Sequence, residues 1–373
     1  MGDSSSQRAP GTGPAHHEWA GRLVVALVFL VRVAAVGAEP SGTDPTDAEA
    51  LGRDSPIGRL EYRPGRGLRV GDTGITLGGF TTSEAERLQG GDSAGSFGEA
   101  HFFLSFDPLP RVHLFSELEA GTLATAASDQ SGVRSHLGLE VVRAYGDFSL
   151  SDALGLRFGQ FLTPIGLWNP VPAEPFVWTT SEPLIVEDVF PDTMTGAMLS
   201  GRAFALNGAF SYSLYGTFLD QLSTDPGESP APKSAGAYLE WASLGGWTIG
   251  ASYFASEAKT GPWHNLGGVD GLWRPNERLE LSTEAVFGEG TQSNGALWGM
   301  YAQAVAETVD TLYLVGRYEH FDPPGSDHSI NLYDVGLTWI PVYYVRCKVD
   351  YSIADHRDEL AEPGLRWSLS LLF

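Results

Sequence analysis

From Gly74 to Phe373 the chain is divided into segments of about ten residues in which apolar and polar positions alternate. In 112–120 and in 279–285 the apolar side chains occupy one set of alternate positions and carboxylates occupy the other. Successive side chains of a β-strand point to opposite faces, so this pattern predicts strands with one apolar face and one polar face.

The pattern predicts about sixteen such strands, and Leu68–Val70 could add a short one, which gives a range of roughly 16 to 18. The predicted strands span residues 74–82, 97–107, 111–121, 135–148, 154–162, 195–205, 207–219, 234–243, 246–257, 264–274, 278–289, 295–308, 310–321, 328–340, 342–354 and 364–373.

Connections between these strands alternate between tight and long. Tight turns such as Ser151–Ala153 and Leu244–Gly245 are followed by long stretches such as 122–134, 163–194 and 220–233. Short turns at one end and long loops at the other are typical of a bacterial transmembrane barrel with periplasmic termini. The sequence therefore predicts an all-β, antiparallel, up-and-down transmembrane barrel over residues 74–373.

Composition supports a barrel over a bundle of membrane helices. Hydrophobic residues make up 42% of the chain and charged residues 18%. Such an intermediate balance is expected when one strand face meets lipid and the other meets water. Tryptophans recur near the predicted strand ends, as aromatic belts do at membrane interfaces; they are Trp241, Trp247, Trp273, Trp298, Trp339 and Trp367.

The first residues have the features of an export signal. Arg22 precedes the apolar run Leu23–Ala38, which ends in the small-residue pattern Val36-Gly37-Ala38. This run contains Arg32 and is shorter than the ~20 residues a membrane-spanning helix needs. We expect residues 1–38 to be a signal peptide with an extended polar beginning, and 39–73 to be a periplasmic lead-in.

Net charge and cysteine content argue against a nucleic-acid-binding protein and against a fold held by disulfides. The formal charge of −23 disfavours nucleic acid as a partner. Cys347 is the only cysteine, so an intrachain disulfide cannot form.

Two segments resemble known families of outer-membrane proteins. The last strand, Leu365–Phe373, alternates and ends in a C-terminal Phe, which resembles the terminal strand that the outer-membrane assembly machinery reads. The run Phe158–Gly166 resembles a motif of the porin O/P family, the phosphate-selective porins. This resemblance implies a sixteen-stranded homotrimeric porin whose constriction loop follows the fifth strand, here 163–194. Phosphate selectivity is not expected, because that loop contains no Lys or Arg.

Candidate pore residues follow from strand parity and from the implied loop. The loop carries five acids as candidate constriction residues, Glu174, Glu182, Glu187, Asp188 and Asp192. Lumen-side positions carry the acids Glu117, Glu119, Glu140, Glu240, Asp270, Glu280, Glu284, Glu307, Glu319, Asp334 and Asp350. The bases at such positions are Arg157, Arg202, Arg274, Arg317, Arg346, Lys348 and Arg366. This excess of acids predicts a pore that prefers cations or is weakly selective.

Two other motifs have the residue types of a functional site but the surroundings of ordinary polar loops. Gly91-Asp92-Ser93-Ala94-Gly95 has the spacing of a nucleophile elbow, but no helix is predicted after Ser93. Oxygen and imidazole groups that could hold a divalent cation occur in two loops, which contain His320, Asp322, Asp327 and His328 in one and Asp355, His356, Asp358 and Glu359 in the other. Loops of acidic barrels are normally just solvated. We therefore expect neither a catalytic residue nor a metal site or other cofactor.

The function expected from the sequence is a bacterial outer-membrane porin for passive diffusion of small hydrophilic solutes or ions. Its partners would be membrane lipid, lipopolysaccharide, the assembly machinery and two further copies of the chain. The alternatives are a barrel enzyme, and a structural or adhesive barrel with a blocked lumen.

Overall fold

The computed structural model describes residues 59–89, 93–127, 135, 138–186, 189–218, 233–257, 263–289, 295–326, 328–355, 361 and 363–373. These residues form nineteen strands. The strands are β1 Leu60–Arg63, β2 Gly67–Val70, β3 Ile75–Leu88, β4 Ser93–Leu109, β5 Val112–Ala120, β6 Ala124–Ala127, β7 Leu139–Ser151, β8 Leu154–Leu162, β9 Thr193–Ala205, β10 Gly208–Thr217, β11 Ser234–Ser243, β12 Trp247–Glu257, β13 Trp263–Asn276, β14 Leu279–Glu289, β15 Ala296–Val309, β16 Leu312–Asp322, β17 Ile330–Val342, β18 Val345–Ala354 and β19 Gly364–Leu372. The described residues contain no helix with the length and hydropathy of a membrane span.

Sixteen of these strands form one closed antiparallel barrel. Each pairs with the next along the chain, and β19 returns to pair with β3 from Gly364↔Leu88 to Leu372↔Phe80. Three short strands lie outside this circuit, because β1 and β2 form a hairpin on the end of β3 and β6 extends the edge of β4 beyond β5. The predicted all-β barrel of sixteen strands is confirmed.

Connections at one end of the barrel are tight hairpins. The β9–β10 turn consists of Leu206 and Asn207, both with positive φ (54° and 55°), as a two-residue type I′ hairpin requires. Connections at the opposite end are longer, and the longest, residues 163–192, joins β8 to β9. We call these the tight-turn end and the long-loop end.

The two faces of the wall differ as strand parity predicts. On β17, the side chains of Tyr333, Val335 and Leu337 are 43–58% exposed on the outside, while Asp334 and Thr338 are buried inside. An apolar outer surface of this kind is stable against lipid and not against water.

Aromatic rings mark both rims of that outer surface. Trp247 and Trp273 stack at 4.6 Å between ring centroids near the tight-turn end. Trp298 and Trp367 lie within four residues of strand ends at the long-loop end and are 40–41% exposed. Two such rims are the aromatic belts of a membrane-spanning barrel.

The C-terminal residue closes the barrel. The backbone N–H of Phe373 donates to the carbonyl of Gly79 (2.9 Å), and the N–H of Gly79 donates to the carbonyl of Phe373 (3.0 Å). The ring of Phe373 lies over Gly79, where an added Cβ would come within 2.9 Å of it, and contacts the ring of Phe102 at 5.9 Å. A glycine at position 79 thus makes room for the terminal ring.

We expect the folded barrel to migrate differently on gels before and after boiling, because its backbone groups are paired within the wall.

Phe373→Ala removes a half-buried ring and should lower the free energy of unfolding by about 1 to 2 kcal/mol, measured by urea denaturation. Phe204→Ala is the matched control, because that ring is 79% exposed. Equal destabilisation by both substitutions would contradict the closing role of Phe373.

Candidate functional site

The connection between β8 and β9 lies inside the barrel over its described residues, 163–186 and 189–192, and we call it the inner loop. Its backbone N–H groups donate to three carboxylates on the far wall. The pairs are Trp168 N to Glu284 Oε1 (2.8 Å), Thr180 N to Asp350 Oδ1 (2.8 Å) and Leu184 N to Glu319 Oε2 (2.7 Å). Turns within the loop satisfy some of its N–H groups, such as Val171 N to Trp168 O (2.9 Å) and Val186 N to Pro183 O (2.9 Å). The wall supplies the acceptors for these three others.

Apolar side chains of the inner loop fill one side of the lumen. Trp168, Leu184, Ile185 and Val186 are at most 7% exposed. They belong to one buried cluster with lumen-facing residues of β12 to β17, namely Phe254, Leu266, Val286, Leu297, Tyr301, Phe321, Ile330 and Leu332. The barrel therefore encloses a small hydrophobic core, which stabilises the docked position of the loop.

Lys348 on β18 holds the centre of the inner loop. Its Nζ donates to the carbonyls of Glu174 (2.7 Å) and Thr179 (3.1 Å) and lies 2.6 Å from Glu174 Oε1. Ser368 on β19 donates its hydroxyl to the same carboxylate oxygen. Lys348 is 1% exposed, so this ion pair is shielded from water and salt.

Burial raises the pKa of Glu174 above the ordinary glutamate range, and the nearby charge of Lys348 only partly opposes this effect. A pKa that is higher in the docked loop than in the undocked loop means that docking binds a proton more tightly. Protonation of Glu174 therefore favours docking as the pH falls through the raised pKa, and this contribution is lost as the pH rises through it.

Arg317 on β16 forms the second anchor. Its Nη1 donates to Thr179 Oγ1 (2.6 Å), its Nη2 lies 3.0 Å from Asp334 Oδ2, and its Nε lies 2.7 Å from Glu319 Oε1. The three side chains are 0–3% exposed. A guanidinium with carboxylates on two sides and loop oxygens on a third is an ion pair that can remain stable when buried.

The structure divides ten of the predicted lumen-side residues, those taken as the principal pore-lining candidates, into two groups. Five lie beneath the inner loop or in contact with it; they are Glu280, Glu284, Arg317, Glu319 and Lys348. Arg346 also lies near the inner loop, with its Cζ 5.8 Å from the ring centroid of the loop residue Trp178. The other four are Glu117 and Glu119 on β5, Arg157, which pairs with Asp147 on β7 (2.7 Å), and the exposed Arg202 on β9.

The predicted constriction acids have different surroundings. Glu174 is ion-paired as described, whereas Glu182 and Asp192 are exposed and border a cavity. Glu187 and Asp188 lie outside the described residues.

Two water-accessible cavities adjoin the inner loop on the side of the lumen formed by β4, β5 and β7. One cavity of about 370 Å³ is bordered by Glu119 and Glu140 of the wall and by three acids of the inner loop, Glu174, Glu182 and Asp192. A second, of about 360 Å³, is bordered by Glu84, Glu86 and Arg366, among others. Thr180 of the inner loop borders both cavities, so they adjoin the same stretch of loop.

Sequence parity missed the apolar residues that dock the loop. Alternation assigns apolar residues to the lipid side, yet Phe254, Val286 and Leu297 face the lumen. Each is adjacent to an outward-facing aromatic, in the pairs Tyr253-Phe254, Val286-Phe287 and Leu297-Trp298. Two consecutive large apolar residues near the end of a strand were the available sign that both faces of the wall are covered there.

The motifs set aside on sequence grounds have ordinary structural surroundings. Ser93 is the first residue of β4, and strand continues through Gly95, so the strand–serine–helix arrangement of a nucleophile elbow does not form here. His320 pairs with Asn331 (2.9 Å) and lies 3.5 Å from Asp322. His356 and Asp358 lie outside the described residues.

Lys348→Met should release the inner loop, because removing one partner of a buried ion pair costs about 3 to 5 kcal/mol. Limited proteolysis of the folded barrel within residues 163–192 should become about 100-fold faster or more. The control is Lys233→Met, which removes an ion pair to Glu257 (3.1 Å) from a lysine that is 67% exposed. If both variants are cleaved at the wild-type rate, Lys348 does not hold the loop.

Comparison with known proteins agrees with this geometry. A solved OmpF of Salmonella typhi in complex with daunomycin is 12% identical, with a TM-score of 0.59 over 84% of this chain and 99% of that one. The anion-selective porin from Comamonas acidovorans is also 12% identical, with a TM-score of 0.57 over 80% of this chain and 99% of that one. These likenesses establish the fold of a porin.

Sequence comparisons extend to a relative and a family. A protein from Aquifex aeolicus (strain VF5) is 23% identical over 388 residues, covering 84% of this chain and 84% of the relative. Residues 100–343, more than half of the chain, match the family described as "Putative beta-barrel porin-2, OmpL-like". With its closed sixteen-stranded wall and apolar outer surface, the chain belongs to this beta-barrel porin-2 family and is a protein of the bacterial outer membrane.

Proposed function

We propose that this porin lets small hydrophilic solutes and ions diffuse passively past the inner loop, with a preference for cations. The observation that carries the proposal is the lining of the two cavities beside the inner loop, which we infer to be part of the passage. Among the described residues, seven carboxylates and one guanidinium border these two cavities. The carboxylates are Glu84, Glu86, Glu119, Glu140, Glu174, Glu182 and Asp192, and the guanidinium belongs to Arg366. The charge of Glu174 is offset by its ion pair with Lys348 (2.6 Å), so the other six carboxylates carry the argument.

Two bases on the lumen face of the wall add no positive charge to the lining of the passage. Arg317 and Lys348 are 3% and 1% exposed, because the inner loop covers them. Arg366 lies 3.6 Å from Glu86, which partly balances its charge. Carboxylates that remain in water beside a low-dielectric wall raise the local concentration of cations and lower that of anions.

Fold alone does not decide the sign of selectivity. The similar structure from Comamonas acidovorans is an anion-selective porin, so a barrel of this shape also serves anions. We infer cation preference here from the charges beside the passage. The inner loop then acts as the constriction, as the resemblance of Phe158–Gly166 to porin O/P implies, while phosphate is not a favoured solute.

Reconstituted into planar bilayers, the protein should give stable conductance steps and a reversal potential favouring K⁺ over Cl⁻ by about 3- to 10-fold in dilute KCl. The double variant Glu182→Gln, Asp192→Asn should reduce that ratio, because both side chains are exposed beside the cavity. The preference should also fade as salt rises, since the screening length is about 8 Å at 0.15 M.

The control for this experiment is Glu277→Gln, in the exposed β13–β14 turn at the tight-turn end. It removes one carboxylate far along the chain from the inner loop and should leave the ratio unchanged. An anion preference of the wild type would overturn the proposed selectivity. An absence of conductance steps would instead support a structural barrel with a blocked lumen, which the core around the inner loop makes the second candidate.

We further propose that the protein is a homotrimer, inserted by the outer-membrane assembly machinery among lipid and lipopolysaccharide. Support for the trimer comes from OmpT of Vibrio cholerae, a similar structure described in its trimer form, with a TM-score of 0.53. Light scattering in mild detergent should give three times the mass of the mature chain. A single-chain mass over a range of mild detergents would refute the trimer and leave the proposed conduction untouched.

A further inference from the structure

Three potential metal ligands meet on the lumen side of β4 and β5. Glu99 and His101 are two residues apart on β4, so they share one face of that strand. Glu119 on β5 is directly opposite His101 in the strand register. One ligand atom from each residue lies within 4.8 Å of the others, and all three side chains are partly exposed.

His101 is held by a carboxylate that lies outside this group of three. Its Nδ1 is 2.9 Å from Glu117 Oε1, and Arg143 Nε binds the other oxygen of Glu117 at 2.5 Å. Glu117 is 3% exposed, so it is fixed in place. In the neutral imidazole, an ionised carboxylate that accepts a hydrogen bond from Nδ1–H favours the tautomer with its lone pair on Nε2.

The orientation of the ring is fixed as well. Phe80, 2% exposed, stacks on His101 with 4.3 Å between centroids and 12° between planes. In this position Nε2 is 3.3 Å from Glu99 Oε1. Metal-binding histidines are commonly held by a carboxylate on the opposite ring nitrogen, which is the arrangement that Glu117 provides.

We propose that Glu99, His101 and Glu119 bind a borderline divalent cation such as Zn²⁺. One imidazole nitrogen with two carboxylate oxygens suits such ions, whereas Mg²⁺ and Ca²⁺ prefer oxygen ligands throughout. Three protein ligands with water in the fourth position is a common coordination of Zn²⁺. Tetrahedral ligands about 2.1 Å from the ion are about 3.4 Å apart, so small side-chain rotations complete the site.

Access and charge favour an ion at this position. Glu119 and Glu140 border the cavity of about 370 Å³ beside the inner loop, so water and ions reach Glu119 from the passage. Glu140 is opposite Glu119 in the register of β5 and β7. Four carboxylates lie on these neighbouring strands, Glu99, Glu117, Glu119 and Glu140, and Arg143 binds only Glu117 among them. A divalent cation would offset their mutual repulsion.

The test is Zn²⁺ binding to the chelator-treated full mature barrel in detergent, by isothermal titration calorimetry. We expect one Zn²⁺ per chain with a dissociation constant in the micromolar range. His101→Gln and Glu119→Gln should each weaken binding at least tenfold. Glu117→Gln should weaken it about 10- to 100-fold while preserving the stoichiometry, because Glu117 only positions the ring.

The matched control is His113→Gln, since His113 pairs with Asp107 (2.7 Å) near the tight-turn end, away from the three ligands. Gel migration before and after boiling verifies that each variant is folded. If His101→Gln fails to fold, zinc X-ray absorption of the wild type still tests the site through imidazole scattering. Wild-type protein that binds no Zn²⁺ at millimolar concentration, or binding that survives both His101→Gln and Glu119→Gln, would overturn the proposal. The measurement needs no conduction, so its failure leaves the proposed porin function standing.

Discussion

Docking of the inner loop depends on one constraint, which is that backbone N–H groups inside the barrel must find acceptors. Carboxylates at Glu284, Glu319 and Asp350 accept from the loop at 2.7–2.8 Å. Hydrogen bonds to charged groups contribute about 1.5 to 3 kcal/mol each, and an unmade one costs a comparable amount. The acids that strand parity assigns to the lumen are thus partly structural, because they hold a loop that has no sheet partner of its own.

This docking divides the lumen into a dry half and a wet half. On the dry side, Arg317 and Lys348 are enclosed with carboxylates and loop oxygens, beside the apolar cluster. The wet side lies along β4, β5 and β7, where Glu119 and Glu140 meet the cavity. Both halves follow from one chain segment, since the same loop that covers the bases also narrows the space in front of the acids.

The sixteen strands and their tight turns could be predicted from the sequence because each depends on local information, namely period-two alternation and turn residues. The docking of the inner loop that makes one half of the lumen dry could not be predicted in this way. It depends on contacts between residues more than a hundred positions apart, such as Trp168 with Glu284. Even so, the neighbouring apolar residues Val286-Phe287 and Leu297-Trp298 departed from alternation. Strand parity identified Lys348 and Glu319 as lumen residues, but it does not show whether the inner loop covers a lumen residue or leaves it in water.

Counting charges at lumen positions is therefore a poor guide to the field that a permeating ion meets. A buried ion pair such as Lys348 with Glu174 has almost no net charge and little exposure to solvent. By contrast, Glu182 and Asp192 remain in water, where their charge acts on mobile ions within a screening length. The inner loop covers Arg317 and Lys348, and acids are buried with them, namely Glu284, Glu319, Asp334 and Asp350. The sequence total therefore does not give the charge balance that remains in water. Which charges remain solvated, rather than how many the wall carries, sets the sign of the potential along the passage.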